Sequence, residues 1–184
     1  MTHLHVALVT GQLEANLIPL LQLKPERIWL VVSEAMTSNA SRLASILTEW
    51  LPDSEVRRFA HLPDTSPAAI SDFAFDVAGA IDELKETGEA LEISYHMTGG
   101  TKLMGMMFQE AMRCHDANLI YVDSGAGVIH QMSSDLRPEG FREIPIASVL
   151  DSELYLATHG KKHGKKLSDV DGWQEKVMAR KSLT

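Results

Sequence analysis

Strands that alternate with helices along the chain predict an α/β fold of three layers, with helices on both faces of a mostly parallel sheet. Residues 4–9 and 25–33 hold nearly continuous apolar runs, the pattern of central parallel strands that are covered on both faces. Residues 70–84 carry apolar side chains at helical spacing, so a helix packs on the sheet. Residues 118–123 and 127–132 flank a short glycine-containing loop and predict a hairpin that adds an antiparallel edge.

The strands and helices follow one another in a regular order. A helix between successive strands returns the chain to the same end of the sheet, so the strands before the hairpin are expected to be parallel, with right-handed crossovers. The third strand is polar enough to lie at an edge of the sheet. The first helix follows Gln12, and Pro19 within it is expected to kink or shorten it. The strands are predicted at residues 4–9, 25–33, 55–59, 91–96, 118–123 and 127–132.

Capping residues predict where two of the helices begin. Ser38 or Asn39 is expected to cap the second helix, because both side chains accept hydrogen bonds from first-turn amides. Ser66 followed by Pro67 opens the third helix in the favoured order, with the cap residue first and proline at the first helical position.

Composition excludes several classes of protein. The 184 residues suffice for one ordinary domain and some excess, and 45% apolar content supplies a sizeable core. A net charge of −8 disfavours a sequence-independent grip on long nucleic acid, although a few local donors still suffice for a small anion. No segment approaches the roughly 18 apolar residues of a membrane helix. The single cysteine, Cys114, cannot form an internal disulfide, so we expect a reducing, cytoplasmic location.

The stretch from residue 91 to 113 combines a strand, a glycine loop and a helix. Its loop ends in Thr98, Gly99, Gly100, Thr101 and Lys102. The lysine lies in the first helical turn, where the helix already carries partial positive charge, so an anion such as phosphate would relieve the repulsion. The alternative is a plain glycine turn with a threonine cap, and it leaves the lysine unexplained.

A second group of polar residues follows the first strand. Thr10, Gly11, Gln12 and Asn16 lie at the carboxyl end of that strand, where open α/β sheets bind their ligands. Each of these residues taken alone is better explained as a turn or cap residue.

The loop from Thr98 to Lys102, directly after an apolar strand, resembles the signature loop of CARF domains, the CRISPR-associated Rossmann fold. Members of that family usually carry Asn two residues before the first threonine, and this chain carries His96 there. The loop matches neither the Walker A motif nor the Gly-x-Gly-x-x-Gly dinucleotide motif. The resemblance covers residues 3–150 and implies a Rossmann-like fold.

The resemblance implies that the ligand is a cyclic oligoadenylate, the messenger of type III CRISPR complexes. Backbone amides of Gly99, Gly100 and Thr101 would bind phosphate, with Lys102 as a point charge. Ser33, Met36 and Thr37 in the second loop are carried over by position, and the first two loops would recognise ribose or adenine.

One lysine and one helix N-terminus per chain neutralise too little of a ring that carries several phosphates. We therefore expect a homodimer with the ring on its two-fold axis, which favours cyclic tetra-adenylate over the hexa-adenylate.

Two other functions remain open. Some CARF domains are ring nucleases, in which a ribose 2′-hydroxyl attacks the adjacent phosphate, and Lys102, His96 and Thr101 are the candidates for assisting such a step. A ligand-responsive transcription regulator would need a DNA-binding module. We expect no cofactor and no metal, because the close histidine pairs lack further ligands at zinc spacing.

Residues 151–184 are expected to form a helical and basic extension to the domain of residues 1–150. A short amphipathic helix within residues 146–160 is predicted to end at Gly160, and the basic run 161–166 follows it. Trp173 begins a further helical stripe. Related proteins continue into an effector module at about this point, so we expect the extension to lead to an effector domain that this chain does not contain.

Overall fold

A seven-stranded sheet with the strand order β3-β2-β1-β4-β5-β6-β7 forms the centre of the protein. The structure is a computed structural model and describes residues 1–161. The strands are β1 (Thr2–Leu8), β2 (Arg27–Ser33), β3 (Glu55–Leu62), β4 (Leu91–His96), β5 (Asn118–Asp123), β6 (Val128–Met132) and β7 (Arg142–Pro145). The α-helices in this part of the chain are α1 (Leu13–Leu23), α2 (Thr37–Trp50), α3 (Pro67–Glu86), α4 (Lys102–Arg113) and α5 (Ser152–Thr158).

The first five strands are parallel, and the last two add an antiparallel edge. β1 lies between β2 and β4, with Leu8 opposite Val31 and Ala7 opposite His96. Strands β2 and β3 extend the sheet to one side of β1, and β4 and β5 extend it to the other. The strand order therefore reverses between β1 and β4, and this reversal opens a crevice at the carboxyl ends of these strands.

Helices cover both faces of the sheet and divide the core into two main clusters. On one face, α3 and α4 contribute Ile70 and Phe108, which pack with Tyr95 of β4. On the opposite face, α1, α2 and α5 pack against the alternate side chains of β1 and β2, and Leu17 and Leu154 are fully buried there. This is the predicted three-layer, Rossmann-like sandwich.

Two predictions about the helices need correction. Helix α1 continues past Pro19 to Leu23, so the proline does not end it. Helix α2 begins at Thr37, with Met36 at the N-cap position and no side-chain cap, so the expected cap at Ser38 or Asn39 is wrong. A 3₁₀ turn, Glu34–Met36, runs directly into α2 and takes the place of a capping side chain.

Within residues 1–161, the sequence missed strand β7 and located helix α5 correctly. β7 is four residues long and mostly exposed, so it lacks an apolar pattern. Helix α5 ends before Gly160, whose φ of 68° is the left-handed conformation expected there. Residues 162–184, with most of the basic run and the stripe at Trp173, lie outside the described residues, and the boundary at residue 150 stays a prediction. None of the helices within residues 1–161 is long and apolar enough to cross a membrane.

Candidate functional site

A cavity of about 310 Å³ opens at the carboxyl ends of β1, β2 and β4. Its floor is apolar and includes Leu8, Val31 and Met104. The predicted ligand-binding residues that line it are Thr10, Gly11, Ser33, Met36, Thr98, Gly100 and Thr101. The other predicted residues, Gln12, Asn16, Thr37, Gly99 and Lys102, are not part of the lining. The fold thus brings three separate loops to one crevice.

Asn16 fixes the conformation of the loop after β1. Its side chain is fully buried, donates from Nδ2 to the carbonyl oxygen of Leu8 at 2.9 Å, and accepts from the amide of Thr10 at 3.0 Å. Asn39 of α2 donates to the carbonyl oxygen of Thr10 at 3.2 Å, and the Gln12 amide donates to the Thr10 hydroxyl at 2.9 Å. Asn16 therefore positions Thr10 and has no surface left to offer a ligand.

The two glycines of the signature loop have different roles. Gly100 has a φ of 75°, a conformation that favours glycine, and it lines the cavity. Gly99 is buried, and a Cβ atom there would collide with the carbonyl oxygen of Leu8. The close approach that Gly99 permits is thus with strand β1 of the same chain.

Helix α4 directs its N-terminus toward the mouth of the cavity. Thr101 caps it, with its hydroxyl accepting from the Met104 amide at 3.2 Å. Amides of the first helical turn have no acceptor within the helix, so those of Lys102 and Leu103 are available to an anion. Lys102 is exposed and follows the cap directly, so its ammonium group adds charge at the same end. Thr98 accepts from the Val122 amide at 2.9 Å and keeps its own proton to donate.

The remaining wall of the cavity was not predicted from the sequence. Leu62 at the end of β3 and Asp64 in the following loop both line the cavity, and Asp64 is the only charged residue among the described residues that do so. Because β3 is parallel to β2, the residues that follow both strands lie at the same end of the sheet. The predicted position of the third strand could therefore have identified Leu62 and Asp64 as cavity residues. Ser33 at the end of β2 and Met36 in the 3₁₀ turn, both predicted, line the cavity next to this wall. The Thr37 hydroxyl donates to the Glu34 carbonyl oxygen at 2.9 Å.

His96 lies inside the protein. The side chain is fully buried, its ring centre is 5.7 Å from that of His5, and neither ring nitrogen has a hydrogen-bond partner within residues 1–161. Burial lowers the pKa of His96 to about 3. Burial, reinforced by the neighbouring His96, also holds the pKa of His5 well below its ordinary value. Both rings are therefore neutral near pH 7, and His96 has no surface in the cavity.

The arrangement suits recognition of an anion joined to an apolar or aromatic group. Hydroxyl groups and helix amides supply donors on one side, and the floor is apolar. No group of three or more histidine, cysteine or carboxylate side chains within residues 1–161 is placed to hold a metal ion.

Several solved structures share this fold. Can2 from Sulfobacillus thermosulfidooxidans in complex with cyclic tetra-adenylate is 22% identical, with a TM-score of 0.69 over 98% of this chain and 47% of that one. A type III CRISPR defence DNA nuclease activated by cyclic oligoadenylate is 18% identical, with a TM-score of 0.69 over 97% of this chain and 28% of that one. Enterococcus italicus Csm6 bound to cyclic hexa-2′-fluoro-hexa-dAMP is 12% identical, with a TM-score of 0.58 over 86% of this chain and 44% of that one.

These likenesses define the fold of the chain. It belongs to the class of three-layer, Rossmann-like α/β proteins with a ligand crevice at the switch point of the sheet. This is the fold that the resemblance of the signature loop to CARF domains predicts. The chain spans less than half the length of each of the three proteins. No protein-family model matches the sequence, and no curated protein matches it.

Proposed function

We propose that this chain is a sensor domain that binds a cyclic oligoadenylate in type III CRISPR signalling and controls an effector domain. The observation that carries the proposal is the position of the cavity. Thr98, Gly100 and Thr101 line it beside Lys102 and the N-terminus of α4, in a fold shared with a protein whose structure holds cyclic tetra-adenylate. Helix amides and a lysine at one end of a cavity with apolar residues in its lining suit a phosphate attached to a base.

The size of the cavity supports a dimer. Sites that bury one drug-sized molecule have volumes of about 300–1,000 Å³. At about 310 Å³, this cavity accommodates one nucleotide unit, so a ring of several nucleotides needs more than one such cavity. Two chains related by a two-fold axis supply a pair of equivalent cavities and match a ring of even symmetry. Cyclic tetra-adenylate is therefore the ligand that we favour.

Helix α4 offers a surface for such a dimer. Met106 is 64% exposed and lies one helical turn after Lys102, on the same side of the helix. Burial of this side chain against a second copy of α4 would bring the two lysines and the two helix N-termini to the same ring. Each phosphate would then meet donors from both chains, which compensates for the net charge of −8 on each chain.

Roles follow for the other residues around the cavity. The amides of Gly100, Lys102 and Leu103 bind phosphate, whereas the Thr101 amide faces the Met104 sulfur at 3.4 Å. The hydroxyls of Thr98, Ser33 and Thr10 bind ribose or phosphate oxygens. Met36 and the apolar floor contact adenine. Asn16 and Gly99 contribute by holding the loops in place.

Calorimetry combined with light scattering tests this function. Purified protein is titrated with cyclic tetra-adenylate, cyclic hexa-adenylate and linear tetra-adenylate, and its mass is measured with and without each compound. We expect cyclic tetra-adenylate to bind tightest, at one ring for two chains, to a particle of dimer mass. A monomer that binds no cyclic oligoadenylate at micromolar concentration would refute the proposal. A monomer that binds one ring would refute only the dimer.

Ring cleavage is the second candidate function, and the position of Lys102 directly after the cap residue Thr101 favours it. In this reaction the ribose 2′-oxygen forms a bond to the adjacent phosphorus, the bond from phosphorus to the 5′-oxygen breaks, and one proton passes from the 2′-hydroxyl to the 5′-oxygen. Lys102 would stabilise the charge that develops on the phosphate. Chromatography of labelled cyclic tetra-adenylate after incubation separates the two functions, because a sensor returns the intact ring and a nuclease returns linear products.

A further inference from the structure

Outside the cavity, hydrogen bonds of long sequence separation converge on Thr158 near the end of α5. The Thr158 side chain is buried, and its hydroxyl lies 2.6 Å from Oε1 of Glu14 in the first turn of α1. The backbone carbonyl oxygen of the same residue accepts from Nη1 of Arg42 in α2 at 3.0 Å. Helix α5 is thus fastened to both of the helices that follow the first two loops of the site.

Both helices are in turn connected to Thr10, which lines the cavity. On the α1 side, the Thr10 amide donates to Asn16 at 3.0 Å, two residues beyond Glu14. On the α2 side, the Thr10 carbonyl oxygen accepts from Asn39 at 3.2 Å, and Arg42 lies one helical turn further on. Two chains of contacts, one through α1 and one through α2, therefore connect Thr10 to α5.

The Thr158 hydroxyl has two oxygen acceptors for its single proton, and Nδ1 of His159 lies 3.0 Å from the hydroxyl and 3.4 Å from Oε1 of Glu14. The carbonyl oxygen of Tyr155, within α5, lies at 2.6 Å, the same distance as Glu14. If α1 moves away, the hydroxyl keeps a partner inside its own helix, so release of Glu14 leaves no buried donor unsatisfied. The hydroxyl can therefore exchange Glu14 for Tyr155 without losing its hydrogen bond.

We propose that ligand in the cavity displaces Thr10 and releases Thr158 from Glu14, so that α5 loosens from α1 when the site is filled. This inference rests on the proposed function, since it takes cyclic tetra-adenylate as the ligand. Linkage makes the effect reciprocal: a chain in which the contact is already broken binds the ligand more tightly.

Hydrogen exchange of the α5 amides, measured together with calorimetry, tests the inference. We expect cyclic tetra-adenylate to speed exchange of residues 152–161 in the wild type. Thr158→Val should show fast exchange before ligand is added and bind the ring about two- to tenfold more tightly, which corresponds to one hydrogen bond. Glu14→Ala removes the other partner, and the double variant should bind no more tightly than either single variant. Thr87→Val is the matched control, because its hydroxyl bonds the Leu84 carbonyl oxygen at 2.7 Å on the exposed end of α3.

The outcomes separate this inference from the proposed function. If the wild type does not bind the ring, the proposed function fails and the switch fails with it. If the wild type binds the ring while exchange in α5 stays unchanged or slows, the switch alone is refuted. Unchanged affinity in both Thr158→Val and Glu14→Ala would refute it in the same way.

Discussion

The two halves of the signature segment, residues 94–102, differ in burial and in charge. The strand half, with Ser94 and His96, is buried and neutral beside His5, and the Ser94 hydroxyl lies 2.8 Å from Nδ1 of His5. The helix half, with Thr101 and Lys102, is exposed at the mouth of the cavity and carries the positive charge. Only a few residues separate the two halves.

One short motif therefore combines a part that stabilises the fold with a part that faces the ligand. A charge is retained where water or an anion can solvate it, and a neutral ring is tolerated where neither is present. Substitutions in the strand half should therefore change the free energy of unfolding, and substitutions in the helix half should change ligand affinity.

The largest effect is expected from Gly99→Ala. The new methyl group would collide with the Leu8 carbonyl oxygen, a backbone atom that cannot move aside without disturbing β1. We expect a loss of about 3 kcal/mol in the free energy of unfolding, at the upper end of typical overpacking costs. Urea denaturation measures it. Gly11→Ala is the matched control, because a Cβ at Gly11 meets no atom within 4 Å. Equal stability of the two variants would contradict the packing role of Gly99.

Lys102→Ala should show the opposite pattern. A charge-assisted hydrogen bond to phosphate contributes about 1.5–3 kcal/mol, so affinity for cyclic tetra-adenylate should fall by that amount per contact. The free energy of unfolding should change by less than about 0.5 kcal/mol, because the side chain is exposed and supports no core. Calorimetry and urea denaturation measure the two quantities. Arg113→Ala removes the same charge at the far end of α4 and should leave affinity unchanged. A Lys102 variant with wild-type affinity would place the ligand elsewhere.

Acid should lower the free energy of unfolding of the protein, because the strand half and its neighbour β1 bury two neutral histidines. The folded-state pKa of His96 is depressed from 6.5 to about 3, and that of His5 is also lowered, so below pH 6.5 the unfolded chain binds more protons than the folded one. Stability is thus fully present above pH 6.5 and falls with pH below it, by about 1.4 kcal/mol per pH unit for each histidine. Urea denaturation between about pH 7.5 and pH 5.5 measures this slope. His96→Asn should reduce the slope of the free energy of unfolding against pH by about 1.4 kcal/mol per pH unit. An unchanged slope would show that another group is responsible.

The smallest effect is expected for His96→Asn on the ligand itself. The ring has no surface in the cavity, so affinity for cyclic tetra-adenylate should change by less than about 0.5 kcal/mol. Any ring cleavage should proceed at the wild-type rate across the same pH range. Slower cleavage with unchanged affinity would return His96 to the mechanism and would imply a second conformation in which it reaches the ligand.

Local sequence patterns predicted the positions of several strands and helices. Alternation of apolar residues placed β4 at Leu91–His96, and the hairpin pattern around a glycine-containing loop placed β5 at Asn118–Asp123. The pair Ser66–Pro67 opened α3 as expected, with the Ala69 amide donating to the Ser66 hydroxyl at 3.3 Å. Periodicity and capping are properties of neighbouring residues, so the sequence alone determined these elements and the position of the glycine loop after the fourth strand.

Tertiary structure decided which residues of each loop meet a ligand. Gly99 and Gly100 are adjacent and chemically identical, yet one packs against β1 and the other lines the cavity, because strand pairing sets the distance between their loop and Leu8. The burial of His96 and Asn16, and the arrival of Asp64 at the cavity, likewise depend on elements distant in sequence. Sequence spacing specifies the direction of a side chain along its own element, whereas the packing of neighbouring elements determines what that side chain contacts.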